Sequence, residues 1–401
     1  MRYFLPGRRA GVSYRTVTQH PAPFLDDPAL GKIWDMLPDA RVVGGAVRDA
    51  LANRPVADID LATPQAPDAV QERLTGAGVK VIPTGLAHGT VTAVVDGHAF
   101  EVTTLRRDVE TDGRHAVVVF TDDWQQDAAR RDFTFNAMSM ARDGTLFDYF
   151  GGVTDLAAGR VRFVGDPVVR IAEDYLRLLR FFRFYARFGD VPPDPETVGA
   201  LQGGIPGLGR LSAERVWHEL RLILVAPNPA QSIALMDRVG VWPAVLTEAD
   251  ATAFRTGLPA DPILRLAGML HNDPERIAQR LKLSNAERDR LVRLLATPPV
   301  VGSDDALRRL LADHDPADLI GRTWLDDDAD ARTRVLAMPR PVFPLEGRDA
   351  LEFGVPAGPG VGMLLRAVRG WWLENGCVGD RAACLGELAR AADTAKMSEK
   401  R

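Results

Sequence analysis

The stretch from Arg41 to Pro64, RVVGGAVRDALANRPVADIDLATP, constrains the fold and chemistry of this chain more than any other segment. Its first residues, Arg41 to Val43, predict a short apolar strand that runs into Gly44-Gly45, where the backbone can turn tightly and approach a ligand. Ala46 to Ala52 predicts a helix, so Gly45 lies at a helix N-terminus, where amides and dipole favour an anion. Arg48, in the first turn, adds a forked donor suited to phosphate.

The second half of this stretch carries two carboxylates. Val56 to Ala62 predicts a strand, on which Asp58 and Asp60 project from the same face because they are two residues apart. An isolated Asp-x-Asp pair is most often a solvated strand edge. Beside a phosphate-binding turn, however, two carboxylates form an oxygen-ligand site suited to Mg²⁺. Together the two halves predict metal-assisted phosphoryl transfer, with Mg²⁺ bound by Asp58 and Asp60.

GGAVRD followed by DIDLAT resembles the signature of the class II nucleotidyltransferases, the family of bacterial CCA-adding enzymes and poly(A) polymerases. The resemblance covers most of the chain through several motifs in the expected order. It implies an α+β fold, in which a DNA polymerase β-type nucleotidyltransferase head with a small mixed sheet precedes an all-α remainder. We expect a flexible N-terminal arm, a catalytic head, a helical neck that selects the nucleotide, a helical body and a tRNA-binding helical tail, at residues 1–25, 26–155, 156–225, 226–340 and 341–401.

The pattern of residues agrees with this division. Four segments rich in Val, Thr and Phe predict strands in the head, at Val79–Pro83, Thr90–Val95, Ala99–Thr104 and Val117–Phe120. Pro67–Thr75 predicts a helix, and beyond Leu156 the pattern is helical, interrupted by stretches of Pro and Gly.

Two further segments of the head gain a role from the resemblance. Glu101, which by itself is an exposed strand glutamate, becomes the third catalytic carboxylate opposite Asp58 and Asp60. The charged segment Arg106–Arg114 is a solvated hairpin by composition, and in the family such a mobile loop accompanies the switch from adding C to adding A. His88 lies between two glycines and is interpreted as a turn residue that supports the site, so we assign it no chemistry.

The segment Arg130–Met138, RRDFTFNAM, resembles the family motif RRDFTxNA. The resemblance implies that Arg131 pairs with phosphate and that Asp132 or Asn136 hydrogen-bonds the ribose. A 2′-hydroxyl distinguishes ribonucleotides from deoxyribonucleotides, so these residues predict RNA rather than DNA chemistry. The next motif, Asp148–Leu156, is interpreted as a hinge between the head and the helical part.

The segment Val169 to Phe188 predicts one continuous helix. Its apolar stripe has the 3–4 spacing of a core-facing side and consists of Ile171, Tyr175, Leu178, Phe182 and Tyr185. Charged residues, mostly arginines, follow another face. Composition alone predicts an amphipathic helix with i,i+3 ion pairs such as Asp174 with Arg177.

The resemblance gives this helix a second interpretation, because EDxxRxxR is the family's amino-acid template for the incoming base. Arginine supplies only donors and aspartate only acceptors, so Asp174 with Arg177 can satisfy the Watson–Crick edges of cytosine and adenine. Uracil and guanine present the opposite order, and unpaired buried polar groups discriminate strongly. Arg180, one turn on, is expected to face the triphosphate, and Arg183 to reach the same region.

Motifs nearer the C-terminus are interpreted mainly as structure. Ser212–Leu220 resembles the motif at the end of the family's neck, with Ser212 as a helix cap and Glu214 and Arg215 supporting the template helix. Met269–Asp273 echoes a metal-dependent phosphohydrolase site, but Asn272 replaces its aspartate and we predict no such activity. In the tail, Trp371 and Trp372 are expected in the core, and Arg366 and Arg369 could contact RNA.

Overall composition limits the possible partners. The net charge of −5 argues against a general nucleic-acid binder, yet residues 160–187 contain seven arginines and three acidic residues, a local charge of +4. No apolar run approaches the roughly 18 residues that cross a bilayer, and the N-terminus has no apolar signal core. Cys377 and Cys384 lack the company of a zinc site. We expect a cytoplasmic protein with no membrane or DNA partner.

These observations predict an enzyme that adds C, C and A to the 3′ end of tRNA, using CTP, ATP and Mg²⁺. One alternative within the family is a poly(A) polymerase. The Glu173-Asp174 pair and the loop at Arg106–Arg114 argue against it. The other is a catalytically silent RNA- or nucleotide-binding module, against which the joint presence of Asp58, Asp60 and Arg131 argues.

Overall fold

The structure is a computed structural model of the 401-residue chain and describes residues 15–17, 19–86, 89–111, 116–270 and 273–398. The chain forms two compact units, Met1–Thr247 and Glu248–Arg401. In the described ranges, no helix combines the length and the apolar character needed to cross a membrane.

All strands of the described residues lie in the first unit. They are β1 Arg15–Val17, β2 Arg41–Val43, β3 Asp60–Thr63, β4 Lys80–Gly85, β5 Thr90–Val95, β6 His98–Thr104, β7 Arg106–Thr111, β8 Ala116–Phe120, β9 Ser139–Met140 and β10 Leu146–Asp148. Eight of them form one sheet in the order β1-β10-β9-β2-β3-β6-β5-β4, and β7 pairs with β8 in a separate hairpin. Only β3 and β6 run parallel in the large sheet. The four strands predicted in the head are confirmed as β4, β5, β6 and β8.

Helices make up the rest of both units. In the first unit they are α1 Pro28–Met36, α2 Gly45–Leu51, α3 Pro67–Gly76, α4 Trp124–Ala129, α5 Gly152–Ala157, α6 Pro167–Glu173, α7 Leu176–Phe188, α8 Pro195–Gly204, α9 Ala213–Leu224, α10 Pro229–Arg238 and α11 Val241–Val245. In the second they are α12 Pro262–Ala267, α13 Pro274–Leu281, α14 Asn285–Ala296, α15 Asp304–Asp313, α16 Pro316–Leu325, α17 Ala329–Ala337, α18 Gly347–Glu352, α19 Pro359–Glu374 and α20 Arg381–Ser398. The predicted α+β fold, a small mixed sheet followed by helices, is confirmed.

Many of these helices begin at an Asp-Pro pair. The aspartate side chain accepts backbone N–H groups of the first turn, and proline fits the first helical position because its missing N–H would have no partner there. The capping residues are Asp27, Asp166, Asp194, Asp261, Asp273 and Asp315. These pairs set the helix starts locally, before any tertiary contact is made.

The prediction of one long helix from Val169 to Phe188 is wrong, because the chain forms two helices there, α6 and α7. Asp174 adopts an extended backbone with φ −153° and ψ 107°, and its side chain accepts the N–H of Leu176 at 3.0 Å. The aspartate therefore ends one helix and caps the next, and this local hydrogen bond competes with continued helix. The apolar stripe survives the break, since Ile171, Leu178 and Phe182 are all buried.

A cluster of aromatic rings fixes α7 to the catalytic head. Phe133 is fully buried, and its ring centroid lies 4.8 Å from that of Phe163 and 5.1 Å from that of Phe184 on α7. Phe135 and Phe181 extend the same contacts. Tilted and edge-on rings at these distances add to the free energy of burial. The arginine-bearing face of α7 is thus held rigidly against the segment that contains Arg131.

The second unit has its own core. Trp372 is 2% exposed and donates its indole N–H to the backbone oxygen of Gly379 at 3.0 Å. Trp371 packs against the edge of the same cluster, and Cys377 and Cys384 are buried free thiols within it. The core prediction is therefore confirmed for Trp372, whereas Trp371 is only half-buried at the margin of the core. Arg369, predicted as an RNA contact, forms an ion pair with Asp313.

Replacing Phe133 by alanine should lower the free energy of unfolding of the first unit by about 3–5 kcal/mol, because it opens a cavity among four neighbouring rings. The measurement is the shift of the urea midpoint at constant slope. Val168→Ala, at a position that is 59% exposed, is the control and should change it by less than about 0.5 kcal/mol. Equal midpoints for Phe133→Ala and the wild type would contradict the assigned core.

Candidate active site

A tight turn joins β2 to α2 and lets two motifs touch. Gly44 has a φ of +64°, and a Cβ atom at this position would lie 2.8 Å from Nη1 of Arg131. Only glycine combines this backbone conformation with so close an approach. Gly45 begins α2, and Arg48 lies in the first turn, as the sequence predicts.

Arg48 is buried and held in a fixed orientation. Its Nη1 donates to Oδ1 of Asn136 at 2.6 Å, and its Nε and Nη2 donate to the carboxylate of Asp49 at 3.0 and 2.8 Å. The predicted phosphate ligand is thus preorganised by its neighbours.

The two aspartates do not share a strand, contrary to prediction. Strand β3 starts at Asp60, and its pairing with β2 involves only Leu61 and Ala62. Asp58 lies in the irregular segment that precedes β3. The proline at position 55 cannot donate to a sheet, which favours this late start. Asp60 is instead in register with Glu101 on the parallel strand β6. Tertiary pairing therefore brings Asp60 and Glu101 side by side on one face.

The electrostatics of Asp60 reflect this crowding. Partial burial and the negative charges of Glu101 and Asp58 raise the pKa of Asp60, while the positive charge of Arg131 opposes the rise. Glu101 and Asp58 therefore both repel the carboxylate of Asp60.

The carboxylates of Asp58, Asp60 and Glu101 offer the oxygen ligands that Mg²⁺ prefers. Among the described residues, no three His, Cys, Asp or Glu side chains are grouped closely enough to bind a metal ion by themselves. Mg²⁺ in proteins is commonly bound by one or two carboxylates together with substrate phosphates and water. A set of oxygen ligands at Asp58, Asp60 and Glu101, with mutual repulsion to relieve, fits such an open site.

The RRDFTFNAM segment places polar residues close to the Gly44-Gly45 turn. Asp132 is buried and accepts from Nε of Arg180 at 2.7 Å and from Nδ2 of Asn136 at 2.9 Å. Burial alone would raise the pKa of Asp132, but the charge of Arg180 and these hydrogen bonds hold it below its usual value. Arg131 donates to the backbone oxygen of Asn136 at 3.3 Å. Arg48, Asn136, Asp132 and Arg180 thus form one continuous chain of hydrogen bonds.

The predicted ion pair between Asp174 and Arg177 is wrong. Both carboxylate oxygens of Asp174 accept from Nη2 of Arg215, at 3.2 and 2.9 Å. They do so because the break before α7 turns this carboxylate toward α9. Arg177 pairs with Glu173 and also donates to the backbone oxygens of Arg130 and Arg170, each at 3.2 Å. Both side chains are thus fixed by other partners, and each keeps hydrogen-bonding capacity for a ligand.

The next two arginines of α7 contact buried acids. Arg180 is bound to Asp132, as described above. Nε of Arg183 lies 3.0 Å from Oε2 of Glu219 on α9, without the alignment of a hydrogen bond. Burial raises the pKa of Glu219, and the charges of Arg183 and Arg180 oppose the rise.

These side chains surround a cavity of about 1120 Å³ in the first unit. All eight residues predicted to bind the nucleotide line it: Gly45, Arg48, Arg131, Asp132, Asp174, Arg177, Arg180 and Arg183. Asp58, Asp60 and Glu101 are not among its lining residues, although Ala57 is. Ten arginines and three aspartates line the wall, so its formal charge is strongly positive. Such a wall can accommodate a ligand of several negative charges.

Sequence reasoning assigned no ligand to five of the lining arginines: Arg54, Arg106, Arg130, Arg187 and Arg215. Arg187 continues the 3–4 spacing of Arg177, Arg180 and Arg183, so periodicity could have identified it. Arg54 follows the end of α2 and carries no such signal. Arg215 was predicted as a support for the template helix, and its contact with Asp174 agrees with that interpretation.

Several predicted features lie outside the described residues. They are His88, the tip of the charged loop at residues 112–115, His271 and Asn272 of the phosphohydrolase-like echo, and residues 1–14 and 18 of the arm. Arg106 to Thr111, the first part of the loop, form the hairpin strand β7, as composition predicts.

Comparison with known proteins identifies relatives of both parts of the first unit. The family model for the Poly A polymerase head domain matches residues 40–162, and a model for a probable RNA and SrmB-binding site of polymerase A matches residues 191–252. The human protein named CCA tRNA nucleotidyltransferase 1, mitochondrial, is 38% identical over 368 residues, which cover 84% of this chain and 83% of that protein. A CCA-adding enzyme of Staphylococcus epidermidis is 32% identical over 73% of this chain and 74% of its own.

A solved structure shows the same fold. The CCA-adding enzyme of Bacillus stearothermophilus in complex with CTP superimposes with a TM-score of 0.71 at 25% identity, covering 93% of this chain and 100% of that chain. From these matches and the geometry of the cavity, the chain belongs to the family of CCA tRNA nucleotidyltransferases, whose head is the Poly A polymerase head domain.

Proposed function

We propose that this protein adds C, C and A to the 3′ end of tRNA, using CTP and ATP and releasing pyrophosphate. The observation that carries the proposal is the cavity lined by ten arginines, by the Gly44-Gly45 turn and by Asp174. The names of the relatives support the choice of tRNA as the substrate.

Nucleotidyltransferases of this family generally use a divalent metal, and in this proposal the metal is Mg²⁺. Asp58 and Asp60 would hold it, with Glu101 assisting. The chemistry that Mg²⁺ supplies when bound is a lower pKa for the RNA 3′-hydroxyl and neutralisation of charge on the α-phosphate. The crowding of carboxylates around Asp60 supports a cation at this end of the sheet.

The chain's own residues bind and orient the nucleotide. Gly45, Arg48, Arg131, Arg180 and Arg183 hold the triphosphate, while Asp132 or Asn136 hydrogen-bonds the ribose. Because Asn136 and Asp132 link Arg48 to Arg180, the donors on both sides of the triphosphate are fixed before it binds. Preorganised donors stabilise developing charge without reorganising during the reaction. Attack of the 3′-oxygen forms the new bond to the α-phosphorus, and pyrophosphate leaves with the electron pair of the broken bond.

Asp174 and Arg177 select the base in this proposal. Arg215 and the N–H of Leu176 fix the Asp174 carboxylate, and Glu173 fixes Arg177, so each presents its remaining acceptor or donor in one orientation. Cytosine and adenine satisfy this pair, whereas uracil and guanine oppose like groups.

The remaining assignments follow from the sequence. Residues 26–155 act as the catalytic head, 156–225 as the neck, 226–340 as the body and 341–401 as the tail that grips tRNA by shape and backbone. The arm at 1–25 has no assigned role, although its residues Arg15–Val17 add an edge strand beside β10. We place the protein in the cytoplasm, and cell fractionation of the source organism tests this.

We expect the purified protein with Mg²⁺ to add three nucleotides to a tRNA transcript that lacks its CCA end when CTP and ATP are both present. With CTP alone it should add two and stop. The products are read at single-nucleotide resolution on a sequencing gel. A long adenosine ladder with ATP alone would identify a poly(A) polymerase instead, and no extension would favour a binding module.

Asp58→Asn and Asp60→Asn should each lower kcat for nucleotide addition about 100-fold or more, because loss of a metal ligand removes several kcal/mol of transition-state stabilisation. Steady-state kinetics with CTP measure the effect. Asp68→Asn, at an exposed position on α3, is the matched control and should keep wild-type kinetics. If Asp60→Asn retained full activity, the metal assignment would be wrong.

Arg215→Gln should raise misincorporation of UTP about tenfold, because the Asp174 carboxylate loses its charged partner and can reorient toward a donor edge. The ratio of kcat/KM for CTP to that for UTP measures this selectivity. Arg221→Gln, on an exposed position of the same helix α9, should leave the ratio unchanged. An unaltered ratio in Arg215→Gln would mean that Arg215 serves stability alone.

A further inference from the structure

Three guanidinium groups surround a single aromatic ring at the C-terminal end of α7. The ring of Phe188 is 9% exposed, and the Cζ atoms of Arg48, Arg54 and Arg187 lie 5.0, 4.7 and 5.6 Å from its centroid. Attraction to the π face favours each guanidinium separately. It also brings three like charges to one place.

The negative charge nearby does not balance this cluster. Arg48 has Asp49 as its partner, at 2.8 Å. Arg54 donates to the backbone oxygen of Arg187 at 2.8 Å, and among the side chains that the structure describes no carboxylate lies within 4.0 Å of either guanidinium. Burial and the charge of Arg187 lower the pKa of Arg54, which reports the same repulsion. An anion between the two guanidiniums would relieve it.

The position of this pair relates it to the nucleotide. Along α7 the cavity-lining arginines follow in the order Arg177, Arg180, Arg183 and Arg187. With a rise of about 1.5 Å per residue, Arg187 lies about 15 Å along the helix axis from Arg177. If the base lies at Arg177 and the triphosphate passes Arg180 and Arg183, its terminal end points to Arg187.

Arg54 and Arg187 also line a second cavity, of about 500 Å³. Its further polar lining consists of His20, Asn53, Asp190 and Asn228. The two arginines therefore stand where the nucleotide cavity adjoins a separate opening of the first unit. Their forked donors suit the oxygens of a phosphate group.

We propose that Arg54 and Arg187 form a pyrophosphate site, which binds the terminal phosphates of the incoming nucleotide and then the pyrophosphate that leaves. The second cavity is its route out. This inference rests on the proposed function, since pyrophosphate is the product of that reaction. A backbone phosphate of the RNA is the other source of the same chemistry, and the experiment separates the two.

The direct test is the affinity of the full-length protein for inorganic pyrophosphate with Mg²⁺, measured by isothermal titration calorimetry. Arg54→Gln and Arg187→Gln should each weaken binding about tenfold, and the double variant more, because each removes a charge-assisted contact. Arg221→Gln, an exposed arginine that lines neither cavity, should bind as the wild type does. Thermal unfolding by circular dichroism establishes that the variants are folded, and Arg54→Lys with Arg187→Lys should recover part of the affinity.

Kinetics then identify the source of the phosphate. A pyrophosphate site predicts that the double variant has a raised inhibition constant for pyrophosphate and a raised KM for CTP, with an unchanged KM for tRNA. A raised KM for tRNA alone would overturn the proposal in favour of an RNA backbone contact. Wild-type affinity for pyrophosphate in the folded double variant would overturn it as well.

The two proposals fail in different ways. A wild-type protein that binds pyrophosphate through Arg54 and Arg187 but does not extend tRNA would refute the proposed function and leave this site standing. A protein that extends tRNA while the double variant keeps full pyrophosphate affinity would refute this site alone.

Discussion

The ion pair between Asp132 and Arg180 is the contact on which the active site depends. It joins the segment after α4 to α7, and Asp132 also accepts from Asn136, which in turn accepts from Arg48 beside the glycine turn. One buried carboxylate thus orients donors that come from three separate segments. Removing one partner of such a pair leaves a buried charge uncompensated, which costs far more than the pair contributes. The geometry of the site is therefore set by a network and not by any single motif.

The aromatic cluster under α7 makes that network possible. Long arginine side chains lose much conformational freedom when they are ordered, and like charges repel, so a wall of ten arginines does not order itself. Contacts among Phe133, Phe163 and Phe184 fix the backbone of α7. The arginines on α7 are positioned by that backbone. Packing is therefore what brings so many cations together around one cavity.

Opposite charges are separated along the site. Asp58, Asp60 and Glu101 crowd the end of the sheet with negative charge, while the arginines of α7 and Arg48 of α2 carry positive charge. A triphosphate with a divalent cation has the complementary arrangement, because in the proposed function the cation would meet the carboxylates and the phosphates would meet the arginines. This complementarity favours the nucleotide over a simple anion or a metal alone.

The sequence by itself determined the identity of the chemistry. GGAVRD, DIDLAT, RRDFTFNA and EDYLRLLR are local patterns, and the Asp-Pro helix starts, the head strands and the buried stripe of α7 follow from local hydrogen bonding and periodicity. Sequence could not show that Asp174 ends a helix and pairs with Arg215, forty-one residues away, or that β3 begins at Asp60 so that Glu101 becomes its neighbour. Nor could it bring Arg54 next to Arg187. Only the tertiary structure decided these three features, because each depends on contacts between segments that are distant in the sequence. The spacing of residues indicates only the local structure that one segment can form by itself.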